Sequence, residues 1–323
     1  MKKLYILKRS VSCIAGLSVL MMSVIMLIGF YQTVFASEVK RAVPRTFKSP
    51  EEAAKGLMAA VKLHDTKELL AIFGPEGKKI IFSGDPVNDK AERERFVKAY
   101  DKRNKLKKET DKEVILVIGK EKWPFPVPIV KKDTYWIFDA VAGKEEILNR
   151  RIGRNELNSI QTCLAYMDAQ REYATKDRDG NNKLEYAQKF LSTPGKKDGL
   201  YWEAQTGEKP SPLGPFAAQA AQEGYSPKKP GSKPMPYHGY FYKILKAQGR
   251  NAPGGSYEYV IKGDMIGGFA LVAYPADYGV SGVMSFIINH DGIVYQKDLG
   301  KQTIKITEAM TKYDPDNTWK KVE

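Results

Sequence analysis

The sequence predicts an α+β fold in two parts, with helices leading and antiparallel strands following in each. Three observations carry this. Each part opens on apolar residues at helical spacing. Each then changes to short runs rich in Val, Ile, Tyr, Phe and Trp, bounded by Gly, Pro and Asp. With the leader set aside, about 285 residues remain, more than one hydrophobic core usually serves.

The leader comes first. Lys2, Lys3, Lys8 and Arg9 form a positive region, and Val11 to Phe30 is almost wholly apolar. Val34-Phe35-Ala36 offers small residues where a signal peptidase reads them. Residues 1–36 are therefore expected to be a signal peptide cleaved after Ala36, and the protein to be periplasmic or secreted. The apolar run is long for a signal peptide, so retention of residues 10–30 as an anchor is the alternative. A membrane becomes a partner only in that case. Cys13 lies at the start of the run rather than its end, which argues against lipidation.

The whole chain carries a formal charge of +14, and loss of the four leader cations leaves +10. The basic runs Lys102–Lys112 and Lys228–Lys233 read as solvated surface or as an attraction to anionic envelope polymers. No nucleic-acid motif is present, and no nucleic-acid partner is expected. Cys163 is the one cysteine left after cleavage, so no internal disulfide forms. It is expected to be a small buried apolar residue, because His64, His238 and His290 all lie far from it in sequence.

Residues 37–46 read as a flexible lead and residues 47–154 as the first domain. Ser49-Pro50-Glu51-Glu52 is a helix start, followed by Ala53, Leu57, Ala60 and Val61. Asp65 or Thr66 restarts a short helix, and Gly74-Pro75-Glu76-Gly77 breaks it. Lys90–Lys107 reads as a further helix. Glu113–Ile118 is a strand, and Trp123–Val130 is held extended by three prolines. Thr134–Asp139 is a strand with Tyr135 and Ile137 on one face, Trp136 and Phe138 on the other.

Residues 155–323 read as the second domain. Asn155–Thr175 is a long helix carrying Leu157, Ile160, Leu164 and Met167 along one side. Tyr186–Leu191 reads as a second, short helix. The Gly/Pro-rich stretch 195–236 is a long loop, functional or mobile, with one helical piece at Pro215–Glu223. Strands are expected at Tyr240–Ala247, Tyr257–Ile261, Gly268–Ala273 and Val283–Ile288. His290-Asp291-Gly292 turns the last of them into Ile293–Lys297. Thr303–Lys312 is a closing helix.

Three resemblances follow from longer stretches. Residues 47–150, from SPEEAAKGLMAAVKLHDTKELLAIFG to WPFPVPIVKKDTYWIFD, resemble the cone-shaped α+β fold of the nuclear-transport-factor-like and cystatin-like superfamily. CLAYMDAQREYATKDRDGNNKLEYAQKF with GGFALVAYPADYGVSGVMSFIINHDGIVYQKDLG resembles the head of pilins and pseudopilins, a long helix on an antiparallel sheet. The leader lacks the pilin peptidase site and the Glu that follows it, so only the head fold carries over. End to end, the chain resembles the exported bacterial proteins grouped as domain of unknown function 2950. The phrases that carry this are WPFPVPIVKKDTYWIFDAVAGKEEILNRRIGRNEL, AQREYA, GYFYKILKAQG and GIVYQKDLG. That resemblance implies an envelope protein and supplies no activity.

The chemistry on offer is sparse. Trp123, Phe125, Trp136 and Phe138 are the residues expected to line a pocket in the cone, and Asp139 is the carboxylate placed to be perturbed by them, if it is not simply a cap. Glu146, Arg150, Arg151 and Arg154 form a dense cluster that would serve an interdomain network or bind an anion. Asp177 and Asp179 have the look of a calcium loop, but Thr175 and Tyr186 stand where its outer ligands belong, so a polar turn is preferred. Ser281 lacks the spacing of a nucleophile elbow. No His/Cys spacing suggests zinc, and no cofactor is expected. Tyr237, Tyr240, Tyr242, Tyr257, Tyr259, Tyr274 and Tyr278 suit sheet packing or an aromatic surface for a glycan or protein partner. No catalytic residue stands out. The readings rank as a non-enzymatic partner-binding or scaffolding envelope protein, then a small-ligand binder using the cone cavity, then a hydrolase acting on envelope material.

Overall fold

Ser49 starts the first helix, α1 (Pro50–Lys62), by accepting the Glu52 N–H with its hydroxyl at 3.2 Å. A computed structural model describes residues 43–226 and 234–323. The expected signal peptide and the basic run Lys228–Lys233 lie outside the described residues. Asp65 caps α2 (Thr66–Phe73) in the same way. A single tight turn at Gly74–Glu76 leads into α3 (Gly77–Ile81). The apolar faces of α1 and α2, including Leu57, Val61, Leu69 and Phe73, are buried together.

The next helix differs from expectation at both ends. Asp85 caps α4 (Pro86–Lys102) by accepting the N–H groups of Val87 and Asn88, so the helix starts at the Asp-Pro pair. It stops at Arg103, and Asn104–Thr110 forms strand β1. The Lys- and Glu-rich composition of β1 suits a helix. Pairing with β2 (Glu113–Ile118) along its length makes it a strand. A charged edge of this kind discourages further strand addition.

Strands β3 (Trp123–Pro124), β4 (Ile129–Lys132) and β5 (Tyr135–Phe138) complete an antiparallel sheet ordered β1-β2-β4-β5, with β3 on β2. Alternation turns Val114, Leu116 and Ile118 toward the helices. Phe138 joins them, its ring within 6.3 Å of those of Phe47, Phe73 and Phe125. Helices over one face of an antiparallel sheet give the α+β layout expected.

Asp139 then caps α5 (Ala140–Tyr173), its carboxylate accepting the Ala142 N–H at 3.1 Å. This one helix has 34 residues, about 51 Å of rise. The position expected for the domain boundary, after residue 154, falls within it. Its buried stripe runs through Gly143, Arg151, Asn155, Ser159, Cys163 and Tyr166. A step of four residues overshoots a turn. At roughly 3.6 residues per turn, Gly143 and Cys163 stand about 200° apart around the axis. Averaged over all the buried residues of α5, the face buried by its first half and the face buried by its second differ by about 100°. Gly143 allows the close approach, since a Cβ there would sit 2.6 Å from the carbonyl oxygen of Pro126.

Between the two apolar clusters the stripe is polar. Arg151 donates to the carbonyls of Lys79, Ile80 and Phe82 at 2.9, 2.5 and 3.3 Å. Asn155 donates to the Ser281 carbonyl at 2.8 Å, and Glu156 accepts the N–H groups of Val283 and Met284. Asp85 adds a second tie, accepting from the Tyr225 hydroxyl at 2.7 Å and the Gly239 N–H at 3.0 Å.

After α5 the expected helix at Tyr186–Leu191 is absent. That segment forms neither helix nor strand, because its backbone is claimed by distant partners. Tyr186 N–H donates to Met265, and the Gln170 amide holds both the N–H and the carbonyl of Ala187 at 2.8 Å. The expected helical piece of the long loop is α6 (Gly214–Gln222). Strands β6 (Tyr240–Leu245), β7 (Ala247–Gln248), β8 (Tyr257–Glu258), β9 (Val260–Ile261) and β10 (Asp264–Met265) follow. Then come β11 (Ala270–Pro275), β12 (Met284–Asn289), β13 (Tyr295–Asp298), α7 (Thr303–Ala309) and β14 (Lys320–Lys321). The main sheet is antiparallel, ordered β14-β13-β12-β11-β6. Neighbouring residues of β6 contact different helices: Tyr242 meets Ser159 of α5, and Lys243 donates to the carbonyls of Thr307 and Glu308 of α7. The two helices therefore cover opposite faces, and β11, with both faces covered, is buried throughout.

Two substitutions test this arrangement. Arg151→Met removes the donors to three carbonyls and a cation that stabilises the buried Asp89 carboxylate, and should cost about 3 kcal/mol or more in denaturant unfolding. A loss below about 1 kcal/mol would contradict the role given to Arg151. Asp139→Ala should lower stability by about 1 kcal/mol while Asp139→Asn, which still caps, stays near wild type. Equal losses in both would show that the cap is not what Asp139 contributes.

Candidate functional site

The first core is incompletely filled. A cavity of about 510 Å³ lies among its helices and the end of β2. Leu57, Val61, Leu69 and Phe73 contribute from α1 and α2. Phe96 and Ala99 of α4, Ile118 of β2 and Ile147 of α5 add further apolar surface. Phe125 is buried beside it, edge-on to Phe96 at 5.3 Å. The Gly119 N–H donates to the Ala99 and Arg103 carbonyls, which holds the end of β2 against the end of α4.

The outer lining is charged. Arg93, Arg95, Arg150, Arg151 and Arg154 line the cavity against three carboxylates, Asp89, Glu92 and Glu121. One oxygen of Glu92 accepts a hydrogen bond from Arg95 at 2.5 Å and forms an ion pair with Arg154 at 2.7 Å. Arg150 donates from Nε to Glu146 at 2.6 Å and lies 5.2 Å from the centre of the Trp123 ring. Arg93 donates to the Ile81 carbonyl at 3.3 Å. Its Nε is buried and has no partner among the described residues. Burial raises the Asp89 carboxyl above its usual range, against the opposing pull of two hydrogen bonds from the Ser83 N–H and the charges of Arg151 and Arg93.

The expected site residues divide. Trp123 and Phe125 line the cavity, with Trp123 at its exposed rim. Trp136 and Phe138 do not. Phe138 is fully buried, and the space beside it is filled by Phe47 and Phe73, while Trp136 pairs its backbone with Phe47. Asp139 is a helix cap rather than a pocket carboxylate. Arg150, Arg151 and Arg154 reach the same cavity, and Glu146 is the ion-pair partner of Arg150. The aromatic group and the charged group, separate in sequence, thus meet at one place. The contribution of α4 has no sequence signal. Its run Glu92-Arg93-Glu94-Arg95-Phe96 shows no clean apolar stripe, and no local pattern distinguishes these arginines from a solvated face.

Elsewhere the candidate residues are occupied. Asp177 accepts the N–H groups of Gly180 and Asn182 at 2.7 and 2.8 Å, and those bonds hold its carboxyl below the usual range. Asp179 accepts from Asn181 in the same turn. Among the described residues no cluster of three His, Cys, Asp or Glu side chains is placed to hold a metal ion. Burial pushes the Cys163 thiol up to about 12, which leaves almost no thiolate at neutral pH. Tyr240 and Tyr259 are fully buried in the second core, Tyr274 nearly so, and Tyr257 is exposed. His238 Nε2 lies 2.9 Å from a Glu223 carboxylate oxygen, and burial lowers its pKa.

No curated protein and no solved structure matches the chain. One family model, described as protein of unknown function (DUF2950), matches residues 44–322, and the chain belongs to that family.

Proposed function

We propose that this is a non-enzymatic binding protein of the cell envelope, exported by its leader, that holds a small ligand with an apolar body in the cavity of its first half. The observation that carries the reading is the cavity itself. Its volume falls in the range of about 300–1,000 Å³ common to ligand sites, with walls that are mostly apolar by area and charged side chains among them. Apolar walls of this extent left facing water forgo contacts that a ligand would restore.

The alternatives have less support. An acid–base mechanism needs a carboxylate free to exchange a proton with substrate. Glu92 is shared by two arginines, Asp89 is engaged by Ser83, and Glu121 stands exposed to solvent rather than in an apolar pocket. A scaffold using an aromatic surface would draw on the tyrosines of the second half, and Tyr240 and Tyr259 are spent in its core.

The test is binding of an uncharged naphthylamine fluorophore, whose emission rises in apolar surroundings. The wild-type chain should bind it at micromolar concentration. Ala99→Trp fills the cavity and should weaken binding by about tenfold or more, while Ala218→Trp on exposed α6 should leave it unchanged. No binding by the wild type, or equal binding by both variants, would remove the proposal.

A further inference from the structure

We infer that the ligand is an amphiphile: an apolar body carrying one anionic head, a carboxylate or a phosphate, which the arginines at the rim receive. This rests on reading the cavity as a binding site. The head is inferred separately, from the charges.

The lining carries two more guanidinium groups than carboxylates, five against three. Glu146, just outside the lining, pairs with Arg150 and reduces that excess to one cation. Arg95, Arg150 and Arg154 have side chains 59%, 41% and 46% exposed, whereas Phe73, Phe125 and Ile118 are buried. The cavity thus sets buried apolar walls beside exposed guanidinium groups, an arrangement that an anionic amphiphile can use. Two of these cations share a single carboxylate oxygen, so Glu92 neutralises only one of them. Arg150 is the best placed to receive a head. Among the described residues its hydrogen bond to Glu146 uses Nε alone, which leaves both terminal nitrogens as a fork. Its position over Trp123 limits the rotamers it explores before binding. A forked donor held in place binds carboxylate or phosphate through two parallel hydrogen bonds. Arg93 adds a buried Nε without a partner among the described residues, a donor that a bound anion or a water it carries would satisfy. Arg151, by contrast, is used up by three backbone carbonyls and acts only as a fixed positive charge behind the site.

The test measures displacement of the uncharged fluorophore from the full chain by four compounds: dodecanoate, dodecyl phosphate, dodecanol and inorganic phosphate. At least one of the two anionic amphiphiles should compete about tenfold more strongly than dodecanol, and which of them does so identifies the head. Inorganic phosphate alone should not compete. Arg150→Gln should reduce that preference by about tenfold while leaving the dodecanol value unchanged, and Arg154→Gln should reduce it less. Both variants should melt as the wild type does, since neither arginine is buried. Raising the salt should weaken the anions and not the alcohol. If dodecanol binds as well as the anions, or if Arg150→Gln leaves the preference intact, the anionic head is wrong and the cavity reading stands. If neither the fluorophore nor any amphiphile binds, the cavity reading fails and this inference with it.

Discussion

A guanidinium taken out of water in the middle of a helix must have its charge and its donors met where it stands. Arg151 meets them with the carbonyls at the end of α3 and with the nearby carboxylate of Asp89. These carbonyls are helix-terminal groups with no partner inside their own helix. One side chain thus satisfies itself and the end of α3 together. Asn155 and Glu156, four and five residues on, repeat the device against the backbone that leads into β12. The middle of α5 is therefore polar by necessity, and the two apolar cores lie on either side of it, on faces of the helix about 100° apart.

The cavity follows from the same constraint. With α3 held by Arg151 and α4 anchored at its start by Asp85, the helices of the first half are fixed from their ends. They are not free to close onto the sheet, and the side chains present do not fill the space between them. The arginines on either side of Arg151 along α5 emerge at the rim of that space. Arg154 reaches across to Glu92 of α4, and Arg150 turns back over Trp123. The charges that join the halves and the charges that edge the cavity belong to adjoining turns of one helix.

Much of the fold is legible from sequence because its signals are local. The Ser49 cap, the strand Glu113–Ile118 and the turn at His290-Asp291-Gly292 depend on a few adjacent residues. Where sequence misleads, distant partners decide. Strand β1 is a strand because β2 lies beside it, and Tyr186–Leu191 is not a helix because Gln170 and Met265 claim its backbone. The start of α5 escapes sequence reasoning because its buried stripe changes face, which blurs the periodicity that marks an amphipathic helix. For the cavity, sequence supplies Trp123, Phe125 and the arginines of α5. It does not show that Phe47 and Phe73 occupy the space beside Phe138, nor that α4 turns Arg93 and Arg95 to the same rim. Strand alternation says which face a residue takes; it does not say which neighbours already fill that face.

The most direct test of a cavity built for an anionic amphiphile is a crystal structure of the chain grown with dodecanoate. The predicted result is an alkyl chain among Phe73, Phe96 and Phe125, with the carboxylate within hydrogen-bond distance of Arg150 and the ties of Arg151 unchanged. A cavity closed by its own side chains, or a ligand bound elsewhere with this space empty, would contradict it.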